Sequence, residues 1–319
     1  MAELTPCLLC GCAAHTPLYT TRDRLCGVPG EFRLVRCAKC DLVYLSPRPT
    51  PTDIGQYYPQ RYDSFMPQRL DDMPPLQRWS VRYGLRKRCR LVLRYRARGR
   101  LLDVGCATGQ FLAEMARHPG WEVAGVEPSE SASEFARRAY EFRVYQGDLA
   151  SARFPDGAFD VVTLWDVFEH LHDPLAMLAE VRRVLAPDGV LILRTPSLDS
   201  WDARVFGPYW AGLDSPRHLA IFSRQTAMRI LDEAGFSLRR FHTGSGSYFA
   251  CLLSLRFWAE EIMTRPETRR LVLGLFGNPV ARAALALPLT LTDALGLGSE
   301  MMIVAQPRAR GQDRKGITY

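Results

Sequence analysis

The sequence of 319 residues lacks several features that mark special classes of protein. It has no internal repeat, no low-complexity tract and no uninterrupted apolar run of the roughly 18 residues that a membrane-spanning helix needs. No positively charged start leads into an apolar stretch, so we expect no secretory signal and a cytoplasmic protein. The segment 271–297 comes nearest to a span, but prolines and charged residues interrupt it. It predicts buried or interfacial helices, which leaves peripheral membrane contact open as a role.

Nine cysteines are present, and four of them form two C-x-x-C pairs near the start of the chain. In a reducing compartment, such pairs favour metal binding over disulfides. Two pairs can place four thiolates tetrahedrally around one zinc ion, and four thiolates leave no open position for catalysis. The sequence therefore predicts a structural zinc site formed by Cys7, Cys10, Cys37 and Cys40. Either Cys12 or Cys26 could replace one of these ligands.

From about residue 100, short apolar segments alternate with helical patterns, which is typical of a parallel sheet with crossover helices. The predicted strands are 100–104, 122–126, 142–146, 159–165, 190–195, 237–242 and 301–306. They predict an α/β fold with a Rossmann-like, mostly parallel sheet of seven strands, helices on both faces and a helical insertion before the last strand. We divide the chain into a zinc ribbon (1–46), a linker and basic helix covering the cofactor site (47–98), a Rossmann-like core (99–245) and the insertion with the final strand (246–319).

The segment LLDVGCATGQFL, 101–112, combines a hydrophobic strand, a glycine loop and the start of a helix. Glycines let the backbone approach a ligand closely, and amides at a helix N-terminus favour an anionic group. Asp103 is an unfavourable strand residue unless its carboxylate acts at the loop, where it can receive a cationic amino group. The residues predicted to bind the cofactor here are Asp103, Gly105, Cys106, Ala107 and Gly109.

Further candidate binding residues follow the next strands. Glu127 ends the second strand, at an offset from the glycine loop that suits an acid accepting both ribose hydroxyls. Asp148 follows the third strand and suits an adenine amino group, with Leu149 against the ring. Trp165 ends the fourth strand. A dinucleotide-binding loop would have its third glycine where Gln110 stands, which disfavours a dehydrogenase.

Taken in order, these segments resemble the successive motifs of class I S-adenosylmethionine (SAM)-dependent methyltransferases over about 100–195. The resemblance implies SAM as the methyl donor. The chain departs from the usual family loop at Ala107, where a glycine is common. The cysteine-rich segment, with FRLVRCAKCDLVYLSPRP, resembles the N-terminal zinc ribbon of a subset of these enzymes, including some sugar C-methyltransferases.

Methyl transfer requires an aligned nucleophile and, for a hydroxyl or a carbon acid, a base. His170 lies just past the fourth strand in FEHLHDP and is one candidate base, although this pattern is widespread in the family and is in part structural. Asp166, Glu169 and His170 also fall on one face of a helical turn. That arrangement resembles ubiquinone-pathway O-methyltransferases, in which it can hold a divalent ion, and a metal here stays an alternative.

A second cluster, FGPYWAGLDSPRHLAIFS at 206–223, contains too much glycine and proline for an ordinary crossover helix. It predicts a lid in which Tyr209 and Trp210 contact a ring or lipid, Arg217 contacts an anion and His218 is the preferred base. The alternative is a buried structural loop in which His218 donates to backbone carbonyls. The motif W-x-G-L-D-x-P-R-H resembles zinc-ribbon methyltransferases of the saccharide and cell-envelope kind.

An arginine-rich segment and a group of tyrosines are further candidates for a role in binding. Arginines crowd the segment 78–100, which indicates either a patch for phosphate groups or an amphipathic helix with its apolar side on the core. The core-facing residues of that helix would be Leu85, Cys89, Val92 and Leu93. The tyrosines that could fold over the cofactor from the N-terminal side are Tyr57, Tyr58 and Tyr62.

These observations predict a SAM-dependent methyltransferase that acts on a hydroxyl or carbon of a small, lipid-linked or nucleotide-linked metabolite, in the first place a sugar. One alternative is an RNA or protein methyltransferase that docks its polymer through the ribbon and the arginine-rich helix. Another is a non-catalytic, cofactor-binding partner protein. We expect no specific nucleic acid partner, because aromatic and basic residues are not interleaved in the ribbon.

Overall fold

The computed structural model describes residues 2–59, 69–244 and 247–309. The N-terminal strands are β1 (Ala2–Glu3), β2 (His15–Thr21), β3 (Phe32–Cys37), β4 (Val43–Leu45) and β5 (Arg48–Pro49). The central elements are α1 (Pro75–Tyr95), β6 (Gly99–Val104), α2 (Gln110–Met115), β7 (Trp121–Glu127), α3 (Glu130–Ala139), β8 (Arg143–Gln146), β9 (Phe159–Trp165), α4 (Pro174–Val184) and β10 (Leu185–Pro196). The remaining elements are α5 (Trp201–Phe206), β11 (Ala220–Ile221), α6 (Arg224–Glu233), β12 (Phe236–Thr243), α7 (Ser247–Ile262), α8 (Pro266–Gly277), α9 (Pro279–Ala294) and β13 (Glu300–Pro307).

The main sheet has seven strands in the order β8-β7-β6-β9-β10-β13-β12. Its first five strands are parallel, whereas β13 runs antiparallel to both β10 and β12. This confirms the predicted α/β fold and the helical insertion between the last two strands of the chain. All seven predicted strands are present, and most extend a residue or more beyond the predicted bounds.

The central strands are apolar throughout because helices cover both faces of the sheet. Successive residues of β6 and β10 point to opposite faces, so Leu101 and Ile192 belong to one core cluster and Leu102 and Leu191 to the other. The first cluster includes residues of α1, α2 and α3, and the second includes residues of α4 and α6. The carboxyl ends of the parallel strands stay uncovered by this packing and are the expected ligand edge.

A second sheet of four strands joins the ribbon to the core, in the order β11-β4-β3-β2. Its β11 lies near the end of the segment 206–223 that was predicted as a lid, and it pairs antiparallel with β4. The Leu45 amide also donates to the Leu219 carbonyl at 2.9 Å. The ribbon sheet is thus completed by a strand from the far side of the sequence.

The arginine-rich segment forms α1, and the predicted apolar side lies on the core. Leu85, Cys89 and Val92 are buried, and Leu93 packs against the same cluster. Near the other end of the chain, α8 and α9 have no buried side chain among those that the structure describes. No helix in the described part of the chain is both long and apolar enough to cross a bilayer.

Candidate active site

The glycine loop joins the end of β6 to α2 at the ligand edge of the sheet. The Gly105 amide donates to the Val126 carbonyl at 2.8 Å, which ties the loop to the neighbouring strand. Gly105 has φ 72°, and a Cβ there would lie 2.5 Å from Cγ2 of Val167. Glycine is therefore required both by the backbone and by the close approach of the next loop. Ala107 adopts φ 47°, a left-handed conformation that a glycine would adopt at lower cost.

Glu127 lies at the end of β7 with an exposed fraction of 3%. One carboxylate oxygen accepts from the Ala107 amide at 2.9 Å, and the other accepts from the Ser129 amide at 2.8 Å. Burial raises the pKa of Glu127, against these two hydrogen bonds. A carboxylate has about four acceptor positions, so two remain for a ligand. The acid thus holds the glycine loop and α3 together while keeping capacity for a diol.

Asp103 is buried inside the end of β6, where its carboxylate accepts from the Thr163 hydroxyl at 2.6 Å. Burial raises the pKa of Asp103 to about 7, and the negative charge of Glu127 adds to that effect. A buried acid of this kind is ready to ionise when a cationic group comes close. Its position matches the predicted role toward an amino group.

The other predicted cofactor residues lie along the same edge. Asp148 is exposed and accepts from the Ser151 amide at 2.7 Å, and Leu149 is fully buried in the core. Trp165 is 6% exposed and packs edge-on against Phe111, with ring centroids 5.4 Å apart. Asp148 and Trp165 thus lie where a ligand at this edge could reach them, whereas Leu149 is enclosed in the core and offers no exposed surface to a ring.

The predicted lid forms two short 3-10 turns, Gly207–Tyr209 and Ala211–Leu213, rather than a helix. Gly212 lies so close to Trp210 that a Cβ there would be 2.2 Å from the indole ring. The Trp210 indole is buried and donates to Asp202 at 3.0 Å. The Ala211 amide donates to Ser254 of α7 at 2.9 Å, so the lid packs against the helical insertion.

Both candidate bases lie together at the end of β9. The rings of His170 and His218 are 4.6 Å apart, and His218 Nε2 is 3.9 Å from Oε1 of Glu169. His218 Nδ1 lies 2.8 Å from the Gly212 carbonyl, and His170 Nδ1 lies 3.0 Å from the Arg217 carbonyl. A carbonyl can only accept, so we assign the proton of each ring to Nδ1, which leaves each Nε2 with a lone pair.

These two imidazoles are neutral for the same physical reason. Burial, and then the charge of His218, lowers the pKa of His170 to about 3. Burial also lowers the pKa of His218, although the charge of Asp214 opposes that effect.

A family model described as a methyltransferase domain matches residues 77–240, just over half of the chain. The chain belongs to this methyltransferase family. The family is of the class I, SAM-dependent type.

The chain is also similar to individual proteins over part of its length. The chain is 32% identical to the 27-O-demethylrifamycin SV methyltransferase of Amycolatopsis mediterranei over 162 residues, which cover 46% of this chain and 59% of the relative. It is 38% identical to the demethylmenaquinone methyltransferase of Thermus thermophilus over 100 residues, 30% of this chain and 46% of the relative. A similar solved structure is that of a geranyl diphosphate methyltransferase in complex with SAM. The match covers 69% of this chain and 84% of that chain, with 16% sequence identity and a TM-score of 0.46. The chain spans about half the length of the curated relatives it matches.

Arginines that the sequence did not single out hold the loop after β9 in this methyltransferase. Asp166 has φ 59° and bonds the Arg194 guanidinium, with one contact of 2.6 Å. Arg88 of α1 lies 3.5 Å from the same carboxylate and 5.1 Å from the Trp165 ring centroid. Burial raises the pKa of Asp166, but the two guanidinium groups outweigh burial and lower it. Asp166 is thereby committed to an ion pair, and the group close enough to share a cation is instead Glu169, His170 and His218.

Arg217 differs most from its predicted role. Its side chain is fully buried, and its guanidinium bonds Asp23 of the ribbon at 2.6 Å and Asp214 at 2.7 Å. It also donates to the Tyr57 carbonyl at 2.9 Å. An anion on the acceptor would have to displace these carboxylates, and the indole of Trp210 is likewise enclosed. The structure thus makes both residues part of the lid's framework rather than of an acceptor surface, because the ribbon covers them.

Of the three tyrosines, Tyr58 reaches the site: its hydroxyl lies 3.0 Å from Nδ1 of His170. Tyr57 packs edge-on against Phe32 of the ribbon. Tyr62 lies outside the described residues. Tyr209 is partly buried, with the Arg24 guanidinium 4.9 Å from its ring centroid.

The four predicted zinc ligands converge at the tip of the ribbon. The Sγ atoms of Cys7 and Cys40 are 3.4 Å apart, and those of Cys10 and Cys37 are 3.6 Å apart. Tetrahedral zinc with thiolate ligands places sulfur atoms about 3.8 Å from one another, so the cluster is consistent with a zinc site. Cys12 instead contacts the Ala14 carbonyl and, like Cys26, is not a member of the cluster.

Proposed function

We propose that this methyltransferase transfers the methyl group of SAM to a hydroxyl, or to a carbon acid, of a small acceptor, and that the acceptor is a sugar or a similar hydroxylated metabolite carried on a nucleotide or a lipid. The observation that supports this most directly is the lone pair of His218 Nε2 at the ligand edge, 3.9 Å from a buried carboxyl group. Relatives named for an activity on a small molecule include the 27-O-demethylrifamycin SV methyltransferase.

The cofactor would be held by the glycine loop and the acids around it. Glu127 would accept the ribose hydroxyls, Asp103 the amino group of the methionine moiety, and Asp148 the adenine amino group. The loop backbone from Gly105 to Gly109, with Cys106 and Ala107, would line the site, along with Trp165. Bound SAM supplies an activated methyl group on a sulfonium.

Residues that face the acceptor would remove the proton from its reacting hydroxyl group. A hydroxyl within hydrogen-bond reach of His218 Nε2 would lose its proton to that nitrogen as the methyl group is transferred. The Gly212 carbonyl fixes the ring orientation through Nδ1–H. His170 would orient the acceptor together with Tyr58 and Tyr209.

Zinc in the four-cysteine cluster would have a structural task, since a site filled by four thiolates has no open position. Zinc affinity contributes directly to the folding of a small ribbon with little core of its own. We therefore propose that the zinc ribbon (1–46) is a unit of its own, beside the linker with the basic helix (47–98), the core (99–245) and the insertion with the final strand (246–319). Metal analysis of the purified chain should give about one zinc per chain.

Two features bear on the partners. Several arginines of α1 are engaged within the chain, for example Arg86 with Glu114 at 3.0 Å, which argues against a free phosphate-binding surface. The α8–α9 pair exposes Leu271, Leu275 and Leu295, which would suit peripheral contact with a membrane carrying a lipid-linked acceptor. Nucleic acid docking and a non-catalytic role stay as alternatives.

Transfer of labelled methyl from SAM to a panel of nucleotide-linked sugars tests the proposal. The variant His218→Gln should lower kcat by about a hundredfold or more, because general bases contribute at least that much. Its affinity for S-adenosylhomocysteine should be unchanged, and His118→Gln is the matched control. Full activity of His218→Gln would remove it as the base, and methylation of RNA in preference to sugars would favour the polymer alternative.

A further inference from the structure

Buried polar atoms without a partner are concentrated at one place in the fold. Among the described residues, thirteen buried side-chain nitrogen or oxygen atoms lack a hydrogen-bond partner, and eight of these lie around the carboxyl ends of β9 and β10 or the start of β13. The residues that carry them are Trp165, Glu169 (both oxygens), Thr195, Ser197, Trp201, Asp202 and Glu300. The Thr195 hydroxyl still lies near enough to the Glu169 carboxyl group to lower its pKa, although the two make no hydrogen bond of ordinary geometry. Native proteins leave few such atoms unpaired, so a cluster of them indicates a missing polar partner.

Direct contacts link much of this group, called here the acidic acceptor cluster (Glu169, Thr195, Ser197, Asp202 and Glu300). Glu300 pairs with Pro196 across the sheet, directly beside Thr195 and Ser197. The Ser197 amide and Asp202 both bond Ser299, at 2.9 Å and 2.8 Å. The negative charge of Glu300 also acts on Glu169, the neighbour of His218.

Most of the unpaired atoms in the acidic acceptor cluster are hydrogen-bond acceptors. Four of its unpaired atoms are carboxyl oxygens, on Glu169, Asp202 and Glu300, and these need hydrogen-bond donors. Glu169 is 1% exposed and Asp202 is fully buried. In their ionised form these carboxyl oxygens can only accept, so hydroxyl or amino hydrogens of a ligand would satisfy them, whereas carbonyl or phosphate oxygens would suit only the protonated form.

The charges around the acidic acceptor cluster restrict the class of ligand further. The two guanidinium groups at this edge, Arg88 and Arg194, both lie on Asp166. Among the described residues, Glu169, Asp202 and Glu300 form no ion pair with lysine or arginine. Burial, and then the charge of Asp166, raises the pKa of Glu300 to about 8 and that of Glu169 well above its usual value. A buried cation would restore their ionised form.

We propose that the acidic acceptor cluster binds a protonated amino group of the acceptor, next to the hydroxyl that faces His218, so that the acceptor is an amino sugar or a similar amino alcohol. The inference rests on the proposed function, because it places the acceptor at this edge. It adds a charge requirement that a neutral sugar would not meet.

The experiment uses the full chain saturated with S-adenosylhomocysteine and measures the binding of D-glucosamine and D-glucose by saturation-transfer NMR. Glucosamine should bind about tenfold or more tightly than glucose, since a hydrogen bond to a charged partner contributes at least that much. A second pair of ligands has no sugar ring, so the comparison does not depend on ring stereochemistry. The Tris cation should bind more tightly than pentaerythritol, which has a hydroxymethyl group in place of the ammonium.

Variants locate the effect. Glu300→Gln and Glu169→Gln, which keep the side-chain shape, should abolish the preference for the amine, and the exposed Glu134→Gln should retain it. Equal binding within both pairs, or no binding of either amine, would overturn the inference while leaving the cofactor assignment intact. Failure to bind S-adenosylhomocysteine would instead count against the proposed function. A loss in Glu300→Gln of affinity for SAM, but not for S-adenosylhomocysteine, with no amine preference in the parent, would assign the cluster to the sulfonium.

Discussion

The cofactor edge and the acceptor edge of this methyltransferase are built in different ways. At the cofactor edge, residues close in sequence meet: the Ala107 amide bonds Glu127, twenty positions further on, at 2.9 Å. At the acceptor edge, contacts join distant segments, such as Arg217 with Asp23 of the ribbon at 2.6 Å. Tyr58 likewise reaches His170 from the linker. One edge is a local motif, and the other exists only once the ribbon, the linker and the lid have assembled.

Removing the acid of the local motif should have the largest effect. Glu127→Ala should weaken S-adenosylhomocysteine binding by about a hundredfold or more, because it removes a charged acceptor for two hydroxyls. Calorimetry measures this directly. Glu122→Ala, an exposed acid of the same strand, is the control and should bind normally. Normal affinity in Glu127→Ala would mean that the ribose binds elsewhere.

Cutting the link between ribbon and lid should affect turnover but not the cofactor edge. Asp23→Asn leaves the buried Arg217 with one fewer carboxylate, so the chain should lose about 3 kcal/mol of unfolding free energy and turn over about tenfold more slowly. Its affinity for S-adenosylhomocysteine should not change. Asp156→Asn, which removes an exposed partner of Arg183, is the control. Parallel losses of turnover and cofactor affinity in Asp23→Asn would show that the two edges are not separate.

The pH dependence of cofactor binding should follow Asp103. Its pKa is raised to about 7, so below that pH the carboxyl is protonated and must lose a proton to receive a cationic amino group. Affinity for S-adenosylhomocysteine should therefore fall toward about tenfold per pH unit as the pH drops below about 7. Calorimetry between about pH 5.5 and about pH 8 would show it, and Asp103→Asn should remove the dependence. A flat profile in the parent chain would separate Asp103 from the amino group.

The smallest effect should come from restoring the glycine at position 107. Ala107 has a left-handed conformation, so Ala107→Gly relieves backbone strain but adds freedom to the unfolded chain. The net gain in unfolding free energy should be about 1 kcal/mol or less, measured by denaturant titration. A clear loss of stability or of cofactor affinity would show that the alanine methyl group makes a contact of its own.

The difference between the two edges also explains which features could be predicted from the sequence. The strands, the glycine loop and the cysteine pairs are local patterns of hydrophobicity, turn residues and ligand spacing, and the fold and the convergence of the four cysteines were confirmed. The roles of the individual cofactor and acceptor residues stay predictions, since placement alone does not test them.

What the sequence did not predict depends on distant partners. Arg217 was expected to contact an anion as part of the predicted lid, but its guanidinium bonds Asp214, three residues away, and Asp23 of the ribbon, which is distant in sequence. Arg88 and Arg194 were missed because an arginine in a helix or strand gives no sign of which loop it will reach. The concentration of unpaired carboxyl oxygens near Glu300 likewise becomes visible only when β13 pairs with β10.

Calorimetric titration of the purified chain with S-adenosylhomocysteine tests the central claim most directly, namely that the loop between β6 and α2, with Glu127 and Asp103, holds the methyl donor. The account predicts saturable binding with about one site per chain, since the part of the chain that the structure describes contains a single such loop. No binding by protein shown to be folded would contradict it, and the glycine loop would then serve another ligand.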